Sequence, residues 1–179
     1  MVSLRKQIEH YASAHRGESE FAFKFLELLQ HPDAFLRTHL PGHITGSAFI
    51  VSEDLSQALL VHHAKLNRWL QPGGHADGDQ NVERVALREA NEETGIQNLT
   101  LVTPEIFDID IHPIPARKDL GVHDHYDVRY LVCASMNEKI VVSEESHDVK
   151  WVELKNLDLY STEPSLLRMR DKVHALKKG

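Results

Sequence analysis

Apolar and polar positions divide the chain into segments of different period. In the first 40 residues, Leu4, Ile8, Tyr11, Ala12 and His15 recur at helical spacing, and after Gly17 so do Phe21, Phe25, Leu28 and Leu29. Pro32 and Pro41 punctuate the exit, so residues 1–40 read as a two-helix extension. From His43 the texture changes. ITGSAFIV and QALLVHH are short β-branched apolar runs separated by the polar turn Ser52-Glu53-Asp54, which predicts a hairpin. In NRWLQPGGHADGDQ, residues 67–80, Pro72, Gly73, Gly74 and Gly78 then predict an irregular loop. Asp79 is the expected N-cap of a helix over residues 80–93, with Gly95 as its left-handed stop. Further strands are predicted near 99–112, 123–134 and 149–152. A last helix, opened by Thr162, carries Leu166, Met169, Val173 and Leu176 on one face. Strands mixed with helices predict an α/β (α+β) layered domain over residues 41–179. Periodicity does not decide strand order.

Composition narrows the partners. The chain has 179 residues with 20 Lys+Arg against 27 Asp+Glu, a formal net charge of −7. Such a surface repels phosphate backbones, so long nucleic acid is not an expected partner. No apolar run reaches the ~18 residues that span a bilayer, and the amino terminus turns charged too soon for a signal peptide. The single cysteine, Cys133, forms no intrachain disulfide, which fits a reducing cytoplasm. An acidic protein still binds phosphates if it first binds a cation, which makes the clustering of its carboxylates informative.

Those carboxylates cluster at residues 74–96, GHADGDQNVERVALREANEETGI. On a helix Glu89, Glu92 and Glu93 fall within an arc of about 100°. Like charges at i,i+4 oppose a helix, and carboxylates sit badly at its negative carboxyl end. Arg88 lies one turn before Glu92 and can pair with it, leaving Glu89 and Glu93 in need of another positive charge. Hard divalent cations take such oxygen ligands, together with waters and substrate phosphates.

The spacing resembles the Nudix box of the Nudix hydrolase family, G-x5-E-x7-R-E-U-x-E-E-x-G-U with U apolar. Gly74, Arg88, Glu89, Ala90, Glu92, Glu93, Gly95 and Ile96 all stand at the family positions, and only the first Glu is replaced, by Gln80. The likeness extends over roughly residues 43–155. It implies an α/β/α sandwich with a mixed sheet, and a Mg²⁺- or Mn²⁺-dependent hydrolase that cleaves the diphosphate linkage of a small nucleoside diphosphate derivative. It further implies Gly74, Glu89, Glu92 and Glu93 as metal ligands, with Arg88 orienting the carboxylates. The general base varies within the family; here Glu89 and the loop residues Glu144 and Glu145 are candidates, Glu145 being the loop residue carried forward. Gln80 cannot bind metal as a carboxylate, so reduced or altered catalysis is expected, with a nucleotide-binding sensor domain as the alternative. An isoprenoid diphosphate isomerase normally needs a catalytic cysteine, and Cys133 stands well away from the box. The amino-terminal helices leave room for a homodimer.

A second polar set lies downstream. Period two puts Asp108, Asp110 and His112 on one strand face, and groups His123, His125, Asp127 and Arg129 on another. A symmetric hairpin over 113–122 would pair His112 with His123, Asp110 with His125 and Asp108 with Asp127. A hydrated face of His–Asp pairs, a substrate pocket and a second metal site all remain open readings. For substrate contact the candidates are His75, His123, His125 and Asp127, with Arg117 and Lys118 available to a phosphate.

Overall fold

The computed structural model describes residues 2–116 and 121–177, so Arg117 and Lys118 lie outside the described residues. Two helices open the chain, α1 (Leu4–Ala14) and α2 (Ser19–Leu28). The strands are β1 (Gly42–Ser52), β2 (Gln57–His63), β3 (Arg68–Leu70) and β4 (Gly73–His75), then β5 (Thr100–Leu101), β6 (Asp108–Ile114), β7 (His123–Ala134) and β8 (Ser146–Glu153). Helix α3 (Val82–Thr94) separates β4 from β5, and α4 (Pro164–Leu176) closes the chain.

All eight strands join one mixed sheet, organised on β1. This strand runs parallel to β7 along its whole length, Gly42↔Asp124 to Ser52↔Ala134, and antiparallel to β4 and β2 on its other side. Every residue of β1 is buried. That burial explains the continuous apolar run over residues 48–51 in its second half, since a central strand is covered on both faces. On one face Ile44, Ala48 and Ile50 share a core with Val85, Ala86 and Ala90 of α3 and with Leu4, Ile8 and Phe25 of α1 and α2. On the other, Phe49, Val51 and Leu131 pack with Leu166, Met169 and Val173 of α4. The result is a helix–sheet–helix sandwich. Gly46 sets the closeness of α3: a Cβ there would stand 2.9 Å from the Val82 carbonyl oxygen.

Several local expectations change. The stretch read as an irregular loop contains β3 and β4, because β4 pairs with the free first half of β1 (Thr45↔His75, Ser47↔Gly73). Helix α3 starts two residues later than expected, capped by the Asn81 side chain, which accepts from the Arg84 amide. Asp79 instead accepts from the Asn81 amide and the Arg84 guanidinium. The segment 99–112 is not one strand; Pro104 cannot donate to a ladder, and the chain leaves the sheet between β5 and β6. Helix α4 opens at Pro164, not Thr162, and Leu176 is exposed. The β6–β7 register is displaced by two residues, pairing His112 with His125, Asp110 with Asp127 and Asp108 with Arg129. A shift of two preserves parity, so the polar set stays on one face.

Candidate functional site

The last turns of α3 lie against β4, and backbone and carboxylate meet there. A Cβ on Gly74 would be 2.4 Å from the Glu89 carboxyl carbon, so only glycine leaves room for that side chain. The Gly73 amide donates to Glu93 Oε1 at 2.8 Å. Arg88 donates from Nη2 to Glu89 Oε1 (2.6 Å) and to the His75 carbonyl (3.1 Å). Its approach to Glu92 is only 3.9 Å, and Glu92 faces solvent. Arg88 therefore clamps Glu89 and keeps the pair with Glu92 that helical spacing predicts as a longer contact.

Burial drives the electrostatics of this cluster. It pushes the Glu93 carboxyl up to about 7 against the lowering effect of the Gly73 amide, and the charges of Glu89, Glu145 and Glu92 add to the rise. Glu89 is also raised, again chiefly by burial, with Arg88 opposing. A half-buried carboxylate pair with one guanidinium, bonded to Glu89, retains an excess of negative charge. Their oxygens fit a hard cation. Glu145 stands exposed in the turn before β8, where its carbonyl accepts from the Ala64 amide at 2.9 Å. Gln80 is exposed, just ahead of the α3 cap.

A polar face runs alongside, across β4, β1, β7 and β6. Register puts His75, Thr45, Asp127 and Asp110 in one row, and His43, His125 and His112 in the next. Arg129 is 2% exposed and bonds Asp127 (2.7 Å), Asp108 (3.2 Å) and Asp110 (3.2 Å). From α4, Arg168 reaches Asp108 at 2.8 Å, and Lys172 bridges Asp108 (2.7 Å) to Glu18 (2.9 Å). Burial alone would raise Asp110, but its bond to His112 and the charges of Arg129 and Arg168 hold it down to about 2. Asp127, expected to touch substrate, is buried with one oxygen accepting from Thr45 and Ser47 and the other from Arg129. Its carboxylate is occupied by the protein's own donors.

The histidines gather at one end of this face. Rings of His43, His123 and His125 lie 5.0 to 5.4 Å apart, and His75 stands 5.2 Å from His43 and 4.9 Å from His125. Burial, joined by the neighbouring imidazoles, lowers His125 to about 2. Burial likewise takes His75 to about 4, with Arg37 and His43 adding to the fall. His43 was not singled out by the sequence, although its place at the head of an alternating strand held the signal. Arg168 and Lys172 were missed too; their i,i+4 spacing puts both on one face of α4. Cys133 lies in β7 with its thiol raised by burial, and joins neither cluster.

Among known proteins, the NUDIX domain model matches residues 43–172. The chain is 27% identical to a probable DHNTP pyrophosphohydrolase of Lactococcus lactis subsp. cremoris over 133 residues, 72% of this chain and 76% of that protein. It is 30% identical to the asymmetrical bis(5'-nucleosyl)-tetraphosphatase of Mus musculus over 96 residues, 53% of this chain but only 58% of that protein. A C. elegans Ap4A hydrolase, solved as a binary complex, superposes with a TM-score of 0.61 at 19% identity. That superposition covers 76% of this chain and 98% of the other, and it speaks for the fold alone. With the box residues assembled against β4 and the family model spanning most of the sequence, the chain belongs to the Nudix hydrolase family.

Proposed function

We propose that this protein is a divalent-cation-dependent pyrophosphohydrolase acting on a small nucleoside-type polyphosphate. The observation that carries the reading is the half-buried pair Glu89 and Glu93 held against the Gly73–Gly74 backbone, with the Glu93 carboxyl pushed up to about 7 by burial. Glu89, Glu93 and the Gly74 carbonyl would hold Mg²⁺ or Mn²⁺, with Glu92 as an outer contributor. Once bound, the ion supplies Lewis acidity toward the phosphate oxygens and a template for the attacking water. Arg88 fixes the Glu89 carboxylate, and the Gly73 amide fixes Glu93, so both ligands are aimed before substrate arrives. Glu145 is the proposed acceptor of the water's proton, because it is exposed and close enough for its charge to act on Glu93. His75 links the two clusters, through its carbonyl to Arg88 and through its ring to His125; it is the proposed substrate contact.

Gln80 favours a second reading, a nucleotide-binding domain with little turnover. One experiment separates them. The full chain is incubated with Mg²⁺ or Mn²⁺ and a panel of dinucleoside polyphosphates, DHNTP, nucleotide sugars and nucleoside triphosphates, and released phosphates are measured. Turnover that Glu93→Gln abolishes establishes the hydrolase. Binding without turnover across the panel establishes the second reading.

A further inference from the structure

Five imidazoles converge at the His43 end of the polar face, and no step of the proposed hydrolysis requires so many. We propose that His43, His123 and His125 form a transition-metal site of the zinc class, separate from the Glu89–Glu93 pair. One ligand nitrogen from each lies within 4.8 Å of those of the other two. A tetrahedral zinc with Zn–N of ~2.0–2.1 Å brings nitrogens to about 3.4 Å, so the three rings close on an ion by movements of about an ångström.

The tautomers are already set. His43 Nδ1 faces the His39 carbonyl at 3.3 Å, and His123 Nδ1 faces the Gly121 carbonyl at 2.9 Å. A carbonyl only accepts, so both Nδ1 atoms carry the proton and both Nε2 atoms present lone pairs. Metal-ligating histidines are held this way, with the second ring nitrogen donating to backbone. His43 is 0% exposed, and its Nε2 has no hydrogen-bond partner among the described residues; the same holds for His125 Nε2. A buried polar nitrogen without a partner is costly, and two of them in one histidine cluster are accounted for by a shared guest.

Ligand chemistry selects the ion. Imidazole nitrogens suit Zn²⁺ and its neighbours, whereas Mg²⁺ and Mn²⁺ favour the carboxylate oxygens of α3. Three protein ligands leave a fourth position for water, a substrate oxygen or the nearby His75 ring, 5.2 Å from His43. The site comes from two separated places in sequence, the start of β1 and two alternate residues of β7, brought level by the pairing His43↔His125.

The test uses the full chain stripped by a chelator and titrated with Co²⁺ alone, then Zn²⁺ alone. An intense tetrahedral visible band should appear with Co²⁺ and vanish when Zn²⁺ displaces it. Glu89→Gln with Glu93→Gln should leave the band in place; His43→Asn and His125→Asn should each remove it. Absence of the band, or its loss in the glutamate variant alone, overturns the site. Because a buried histidine variant can fail to fold, a second measurement needs no substitution. Zn²⁺ should shift the Nε2 resonances of His43, His123 and His125 in long-range ¹⁵N–¹H spectra of the unaltered protein, and unmoved resonances overturn the proposal.

Discussion

Glu93 accepts from the Gly73 amide at 2.8 Å, a bond that ties the last turn of α3 to β4 and leaves the carboxyl half-buried. Its consequence is a pH dependence of known sign. Without a cation the folded carboxyl titrates near 7, above its ordinary 4.5. The stability this group contributes is full below about pH 4.5 and is lost as pH rises through 7, on the order of 3 kcal/mol. Urea denaturation in chelator at about pH 5 and about pH 8 should show that loss in the native protein relative to Glu93→Gln. Parallel profiles for the two proteins would place the Glu93 carboxyl in water.

Gly74→Ala inserts a methyl group 2.4 Å from the Glu89 carboxyl carbon. Overpacking of this kind costs about 1–3 kcal/mol, and the side chain that moves most readily is Glu89. Activity should therefore fall by more than tenfold while thermal unfolding stays cooperative. Retained turnover would show that Glu89 is not needed where it stands.

Of the two adjacent acids in the turn before β8, Glu145 is the one whose charge raises the Glu93 carboxyl. Glu145→Gln should lower kcat by about 10²-fold or more, in the range of a lost general base, with KM little changed. Glu144→Gln should leave both constants close to native. The reverse ranking would exchange their roles.

Arg129, itself buried, bonds Asp108, Asp110 and Asp127, and Arg168 and Lys172 add positive charge to Asp108 and Asp110 from α4. Arg129→Met would take from Asp127 its cationic partner while Arg168 and Lys172 still hold Asp108 and Arg168 still holds Asp110, and breaking a buried pair in this way costs about 3–5 kcal/mol. Chemical denaturation should register the whole loss. A change under about 1 kcal/mol would mean that water enters the face.

Gln80→Glu restores a carboxylate at the one box position that departs from the family pattern. Mg²⁺-dependent turnover should rise, by about tenfold if the new charge lowers the barrier by ~1.4 kcal/mol. An unchanged rate would show that this exposed position is not limiting.

The box was legible because its spacing resembles the family pattern, and helical geometry separately puts residues 89, 92 and 93 within one arc. Gly95 is indeed left-handed, with φ of 75°. Pairings between distant segments were not legible. No local rule links His43 to His125, and β4 owes its existence to a vacancy beside β1 rather than to its own glycine-rich sequence. The choice of Glu89 over Glu92 as the partner of Arg88 depends on β4 being packed beside α3, which no periodicity conveys. The buried ion network was half visible: the aspartates alternate along β6, but Arg168 and Lys172 arrive from a helix 58 to 64 residues further on.

The parallel pairing of β1 with β7 also bears on how the molecule forms. Thr45 and Asp127 are 82 residues apart in sequence, and every neighbouring contact of the two strands shares that separation. Closing so long a loop costs entropy before any contact repays it, and chains rich in such pairings fold slowly. Until that closure, Arg129 lacks its neighbours from β1, and the imidazoles of β1 and β7 remain apart. Helix α3 can form early from local sequence, yet the surface it serves assembles late, so nascent chains should hold the box helix before they hold a binding face.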